Sequence, residues 1–254
     1  MADKRLLTDQ QLELMKLVEG ADSVELKVTV PAMSGRHAVQ ALGIDPLDAQ
    51  IRQVFFFDTP TLDLNQAGVV MRARRIQGRG DDSVIKLRPV VPSDLPADLR
   101  KSPNLVVEVD AMPGGFVCSA SMKGVPDRSV REHLAKGGRI SKLFSREQRG
   151  FLERYAPPGL ELDQLVVLGP IFVLKAKSVP SEIATKVVGE LWLYPDGSLI
   201  MELSTKSAPD SALRTAMKVT EFLRGNGIDL SGEQHTKTKT ALEFFANQYA
   251  GTAS

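Results

Sequence analysis

Five pairs of charged side chains recur at positions i and i+2 along this 254-residue sequence: Glu25 with Lys27, Arg72 with Arg74, Lys86 with Arg88, Glu108 with Asp110, and Lys175 with Lys177. Glu190 and Glu202 stand in similar apolar surroundings. Successive side chains of a β-strand point to opposite faces, so each pair shares one face of its strand. Taken singly, each charge reads as the solvated side of an antiparallel sheet. The set differs from an ordinary solvated face, because the signs segregate by strand and almost no Ser, Thr, Asn or Gln dilutes the basic pairs. Basic pairs turned into a closed barrel would repel one another unless a polyanion offset them. Triphosphate meets that demand. The carboxylates would then be hard oxygen donors for a divalent cation that bridges protein and phosphate.

Alternation of apolar and polar residues predicts the strands that carry these pairs: Ser23–Val30, Ile51–Phe57, Val69–Ile76, Ser83–Pro89, Leu105–Asp110, Ile171–Val179, Val188–Tyr194 and Ser198–Lys206. The last two are joined by a Pro195-Asp196-Gly197 turn. Helices are expected from Thr8 to about Val18, covering a barrel end, and from Met33 to Gly43 with Ser34 as N-cap. Within a helical insert over about 127–155, Asp127 would cap one helix, and Ser145 and Gln148 stand at capping-box spacing. Two C-terminal helices, Asp210 to Arg224 and Thr236 to Gln248, close the chain. Eight strands and flanking helices predict an α+β fold, a closed eight-stranded antiparallel β-barrel forming one domain over 1–254.

A content of 43% apolar and 25% charged residues supplies a core without disulfides, and the lone Cys118 reads as inert. The formal net charge of +1 argues against a nucleic-acid or membrane partner, so any anion site is local. No leader-like or 18-residue apolar stretch is present, which leads us to expect a soluble, cytoplasmic protein. A homodimer stays open. His37, His133 and His235 occur without metal spacing or a nucleophilic partner, and GRGDD and KGG lack the P-loop pattern. Trp192 reads as core.

At these residues the sequence resembles the CYTH superfamily, the triphosphate tunnel metalloenzymes. Ser23-Val24-Glu25-Leu26-Lys27 stands at the family's opening E-x-E-x-K motif and keeps its second Glu and its Lys. FFFDTPTLDLNQAGVVMRARR, from Phe55 to Arg75, resembles the family's Phe-Asp-Thr-Pro run leading into an R-x-R strand. VIKLRP and VVEVD follow as a basic and an acidic strand, and ELWLYPDGSLIMELSTK resembles the late hairpin. Ser23 and Ser204 stand where the family usually has Glu, which removes two carboxylates from the implied metal site. The resemblance implies a phosphate grip of Lys27, Arg72, Arg74, Lys86, Arg88, Lys175 and Lys177, with Arg149 added from a nearby helix. Lys237 and Lys239 match a basic C-terminal motif and would reach a tunnel mouth. Glu25, Glu108, Glu190 and Glu202 would hold Mg2+ or Mn2+, with Lys27, Glu25 and Glu202 as the catalytic set. The implied activity is metal-dependent hydrolysis of a triphosphate-containing small molecule or inorganic polyphosphate. A cyclase forming cyclic AMP and pyrophosphate from ATP, or a non-catalytic polyphosphate-binding module, are the alternatives.

Overall fold

The computed structural model describes residues 14, 16–31, 34–230, 234 and 236–252. Nine strands close into a barrel: β1 (Ser23–Val30), β2 (Gln50–Asp58), β3 (Val69–Ile76), β4 (Asp82–Leu87), β5 (Leu105–Met112), β6 (Gly115–Gly124), β7 (Val166–Ser178), β8 (Val187–Leu193) and β9 (Leu199–Ser207). Their order around the barrel is β1-β5-β6-β4-β3-β2-β7-β8-β9, returning to β1. Two expectations are corrected here. The strand count rises to nine because GFVCSASMKG forms β6, hairpinned to β5 through Met112 and Gly115. The barrel is also mixed rather than antiparallel, since β1 runs parallel to β5, with Ser23 opposite Glu108 and Glu25 opposite Asp110.

The apolar faces of most strands point outward. Val24, Phe55, Phe57, Met71, Ile85, Val107, Val109 and Cys118 form a buried layer on the outside of the wall. Val130 of α4 (Val130–Ala135), Phe151 of α5 (Arg146–Tyr155) and Leu143 and Phe144 of the turn between them cover it, with Leu99 of α3 (Ala97–Arg100) packed alongside. A second outer layer joins Val28, Val30, Met201 and Leu203 to α1 (Gly35–Ala41) and α6 (Ala212–Gly225). A third apolar cluster differs in kind, because it lies inside one end of the barrel. There Val54, Phe56, Ile171, Val173 and Trp192 meet Ala241, Leu242 and Phe245 of α7 (Lys237–Thr252), which closes that end. Trp192 is thus core, stacked on Phe56 with ring centroids 6.4 Å apart.

Local capping follows the sequence in part. Ser145 and Gln148 form the expected capping box, and fully buried Gln148 also donates to the carbonyls of Ser83 and Met122, fixing α5 to the wall. Asp127 does not cap: it pairs with Arg128, and Ser129 accepts from the Glu132 N–H instead. Ser34 occupies the N-cap of α1 without a side-chain bond. Of the N-terminal helix, residues 14 and 16–19 are helical and Leu17 joins the outer layer; Thr8, Asp9, Leu12 and Met15 lie outside the described residues. Val166 opens β7 earlier than expected, and Gly169-Pro170 sits where the pairing with β2 shifts register. Among the described residues no helix is long and apolar enough to cross a membrane.

Asp58, in the Phe-Asp-Thr-Pro run, is 1% exposed and works on the backbone. Its carboxylate accepts from the N–H groups of Thr59 at 2.8 Å, Leu64 at 2.9 Å and Asn65 at 3.0 Å, which ties the corner after β2 to the short helix α2 (Asp63–Gln66). Burial pushes the carboxyl up while these bonds pull it down, and burial prevails. Removing the acceptor leaves buried N–H groups unpaired, at roughly 1–3 kcal/mol for each group. Asp58→Ala is expected to lose about 3 kcal/mol in urea unfolding. Asp58→Asn keeps one acceptor oxygen and should lose less.

Candidate functional site

Inward positions of the strands surround a cavity of about 880 Å³ that the first turn of α7 also reaches. Among the described residues, thirteen lysines and arginines line it against six aspartates and glutamates. A chain with a net charge of +1 has therefore concentrated its positive excess in the barrel interior.

Asp110 is the hub of one ionic cluster. It is 0% exposed and lies 2.8 Å from Lys27 Nζ, 3.3 Å from Lys86 Nζ and 3.7 Å from Arg88 Nη1. Burial alone would raise its carboxyl, but Lys86 and Lys27 outweigh burial and hold it at about 2. Lys27 also pairs with Glu25 at 3.1 Å. Burial would push the Glu25 carboxyl up as well, and Lys27 holds it at about 2. The same contacts work in reverse on Lys27, whose ammonium burial would weaken but Asp110, Glu25 and Glu202 hold above its ordinary range. Glu108 accepts from Ser23 Oγ at 3.1 Å and pairs with Lys206. Glu25, Glu108 and Asp110 each offer an oxygen within 4.8 Å of the other two, because the parallel β1–β5 register sets them side by side. Three carboxylates form a hard donor set that fits a cation such as Mg2+ or Mn2+.

A second cluster lies on the neighbouring wall. Glu190 and Glu202 are register partners on β8 and β9, and Lys175 on β7 stands opposite Glu190. Lys175 Nζ is 2.8 Å from Glu190, while Lys237 Nζ reaches Glu190 at 2.5 Å and Glu202 at 2.7 Å. Trp192 Nε1 donates to Glu190 at 3.3 Å. Against burial, the two lysines hold the Glu190 carboxyl well below its usual range. Burial likewise opposes the Lys237 ammonium, and Glu190 and Glu202 overcome it and raise it. The four carboxylates expected to share metal are thus divided, two in each cluster, and Asp110 joins the first.

On the opposite wall Arg74 makes a two-pronged contact with Asp82, at 2.7 and 2.6 Å. Arg72, two residues earlier, has its Nε buried with no hydrogen-bond partner among the described residues. Burial and the neighbouring Arg74 lower the Arg72 guanidinium to about 10. Lys86, Arg88, Lys175 and Lys177 complete the expected basic set around the cavity. Arg149 does not join them. Its guanidinium donates to the carbonyls of Phe144 at 2.6 Å and Ser141 at 3.3 Å, closing the turn before α5.

Two solved structures share this architecture. HpAC1 from Hippeastrum, described as a candidate adenylyl cyclase with a dominant triphosphatase activity, matches with a TM-score of 0.59 at 18% identity, over 83% of this chain and 91% of its own. A candidate adenylate cyclase from Bacillus halodurans matches with a TM-score of 0.60 at 14% identity, over 86% of this chain and 97% of its own. The chain has their fold. The barrel implied by the resemblance to the CYTH superfamily is borne out at that level. No protein-family model matches the sequence, and no curated relative does.

Several cavity residues escaped the sequence reading. Arg52 and Asp82 have apolar Val54 and Val84 at i+2, so neither shows the charged i, i+2 signal. Lys123 lies on the unexpected strand β6, and Lys186 and Lys206 sit at strand ends.

Glu25 and Asp110 both titrate lower in the folded chain than the roughly 4 of an unfolded carboxylate. Their stabilising contribution is therefore complete above about pH 5 and lost as pH falls toward 2. Urea unfolding at pH 7 and pH 3 should show about half of that loss, roughly 1 kcal/mol from Asp110 alone. Asp110→Asn should start less stable at pH 7 and show a shallower acid dependence.

Proposed function

We propose that the protein hydrolyses a triphosphate or polyphosphate bound in the barrel, in a reaction that depends on Mg2+ or Mn2+. The observation that carries this reading is the buried Arg72 Nε, without a hydrogen-bond partner among the described residues, in a cavity where described lysines and arginines outnumber carboxylates by thirteen to six. Such an excess calls for a ligand with several negative charges in a compact chain. The fold neighbours support the class, since one carries a triphosphatase activity in its description.

Arg72, Arg74, Lys86 and Arg88 bind phosphate oxygens from one side of the tunnel, and Lys27, Lys175 and Lys177 from the other. Their charges stabilise the negative charge shared among the equatorial oxygens during transfer, where positioning and electrostatics supply most of the rate. Asp82 orients Arg74 through its two-pronged contact. Asp110 and Glu25 fix Lys27 between them. Glu25, Glu108 and Asp110 would hold the metal, which would supply Lewis-acid charge to the phosphate and make water a better nucleophile. Water then attacks the terminal phosphorus, the bridging P–O bond breaks, and orthophosphate leaves together with the shortened chain. In a cyclase the ribose 3′-hydroxyl would replace that water, a reading favoured only by the names of the fold neighbours.

The test is a product-resolved assay with Mg2+ or Mn2+ on inorganic triphosphate, ATP, thiamine triphosphate and long polyphosphate. Orthophosphate release is the expected outcome; cyclic AMP with pyrophosphate would support the cyclase, and binding without turnover would reduce the protein to a polyphosphate-binding module. Arg72→Ala should lower kcat/KM by about 100-fold or more, as expected for a lost transition-state charge contact. Arg149→Ala should stay within about twofold, because its guanidinium bonds the turn before α5 and does not line the cavity.

A further inference from the structure

The tunnel holds two carboxylate groups, each with a shared ammonium: Glu25, Glu108 and Asp110 are three carboxylates of which Lys27 touches two, whereas Glu190 and Glu202 are two carboxylates and Lys237 touches both. Glu190 and Glu202 face each other across adjacent strands, an arrangement that is unfavourable until a cation lies between them. Lys237 supplies that cation from within the chain. Its Nζ touches both carboxylates, at 2.5 and 2.7 Å.

This lysine is not a surface side chain that happens to reach inward. Its side chain is 16% exposed, and its ammonium lies 5.2 Å from the centre of the Trp192 ring. The Tyr194 hydroxyl donates to the Lys237 carbonyl at 2.9 Å and fixes the first residue of α7. Ala241, Leu242 and Phe245, farther along the same helix, fill the barrel end. The nearest inward position on β9 below Glu202 is Ser204, whose hydroxyl is a poorer donor to a hard cation than a carboxylate. A divalent ion between Glu190 and Glu202 would have to displace the ammonium and unseat the start of α7.

We propose that Lys237 is a built-in cation, its ammonium holding the position between Glu190 and Glu202 that a second divalent ion would otherwise take. The tunnel then binds one exchangeable metal, at Glu25, Glu108 and Asp110. The inference rests on the reading above for the anion that both cations face. It adds a fixed single charge on that wall, present whatever the metal concentration and tied to the seating of the helix that closes the barrel.

The experiment counts Mn2+ bound per full-length chain in the absence of any phosphate compound, from the electron paramagnetic resonance signal of free Mn2+, with folding checked by circular dichroism. The wild type is expected to bind one Mn2+ and Lys237→Arg, which keeps the charge, also one. The Lys237→Ala, Ser204→Glu double variant removes the ammonium and adds a carboxylate, and is expected to bind two. Any count other than one for the wild type, or a count of one for the folded double variant, overturns the proposal. Phosphate release is measured separately on the wild type. Expected Mn2+ counts without phosphate release would leave the role of Lys237 standing and remove the hydrolase reading; phosphate release with two Mn2+ in the wild type would do the reverse.

Discussion

Inside this barrel thirteen cationic side chains share a cavity with six carboxylates, where water screens them poorly. At an effective dielectric constant near 20, two like charges about 5.5 Å apart repel by roughly 3 kcal/mol. The cationic excess explains why Asp110 and Glu190 are surrounded rather than merely paired. Asp110 meets three cations, Glu190 meets two, and Lys237 spans two carboxylates. Positive charge still remains in excess, and the buried Arg72 Nε has no hydrogen-bond partner among the described residues. The interior is thus built to be completed by an anion.

Turning the charge inward obliges the apolar faces of the strands to turn outward. An exposed barrel wall of Val, Phe, Ile and Met would be a large sticky surface, so the helices that follow most strands serve as its cover. The exception is the end where Phe56, Ile171 and Trp192 point in, and there α7 enters the barrel instead of lying against it. The same helix brings Lys237 to Glu190 and Glu202, so closure of the barrel and electrostatic balance of the site depend on one element. Buried ionic groups of this kind contribute little net stability beside their desolvation cost. Their value lies in holding a particular arrangement of charge ready.

Much of this was legible from alternation alone. Ser23–Val30 and Val69–Ile76 are strands over the same residues that the pattern marks, because alternating β-branched and charged residues give an unambiguous period of two. The charged faces converge as their spacing implied. β6 went unread because Cys118, Ser119, Ala120 and Ser121 are small and give little apolar contrast. Pairing partners are set by contacts far apart in sequence, so the parallel β1–β5 ladder, and with it the closeness of Glu25 to Asp110, had no local signature. Arg149 was misplaced for a related reason: a helical arginine near a basic site carries the same local pattern whether it binds a ligand or caps a turn. Asp58 belongs to the most specific motif of the sequence, yet it bonds backbone rather than doing chemistry.

Thermal unfolding with and without inorganic triphosphate tests the central claim, that the barrel interior is completed by a compact polyanion. Chloride at matched ionic strength and sulfate serve as comparisons, with no divalent metal present. A ligand that binds only the folded state raises the midpoint by mass action, and at 100 times its Kd it contributes about 2.7 kcal/mol. A rise of several degrees with triphosphate, well beyond sulfate and chloride, and lost in Arg72→Ala, is the predicted result. Equal midpoints in all three anions would contradict the account, because the excess charge of the interior would then have no use for a polyphosphate.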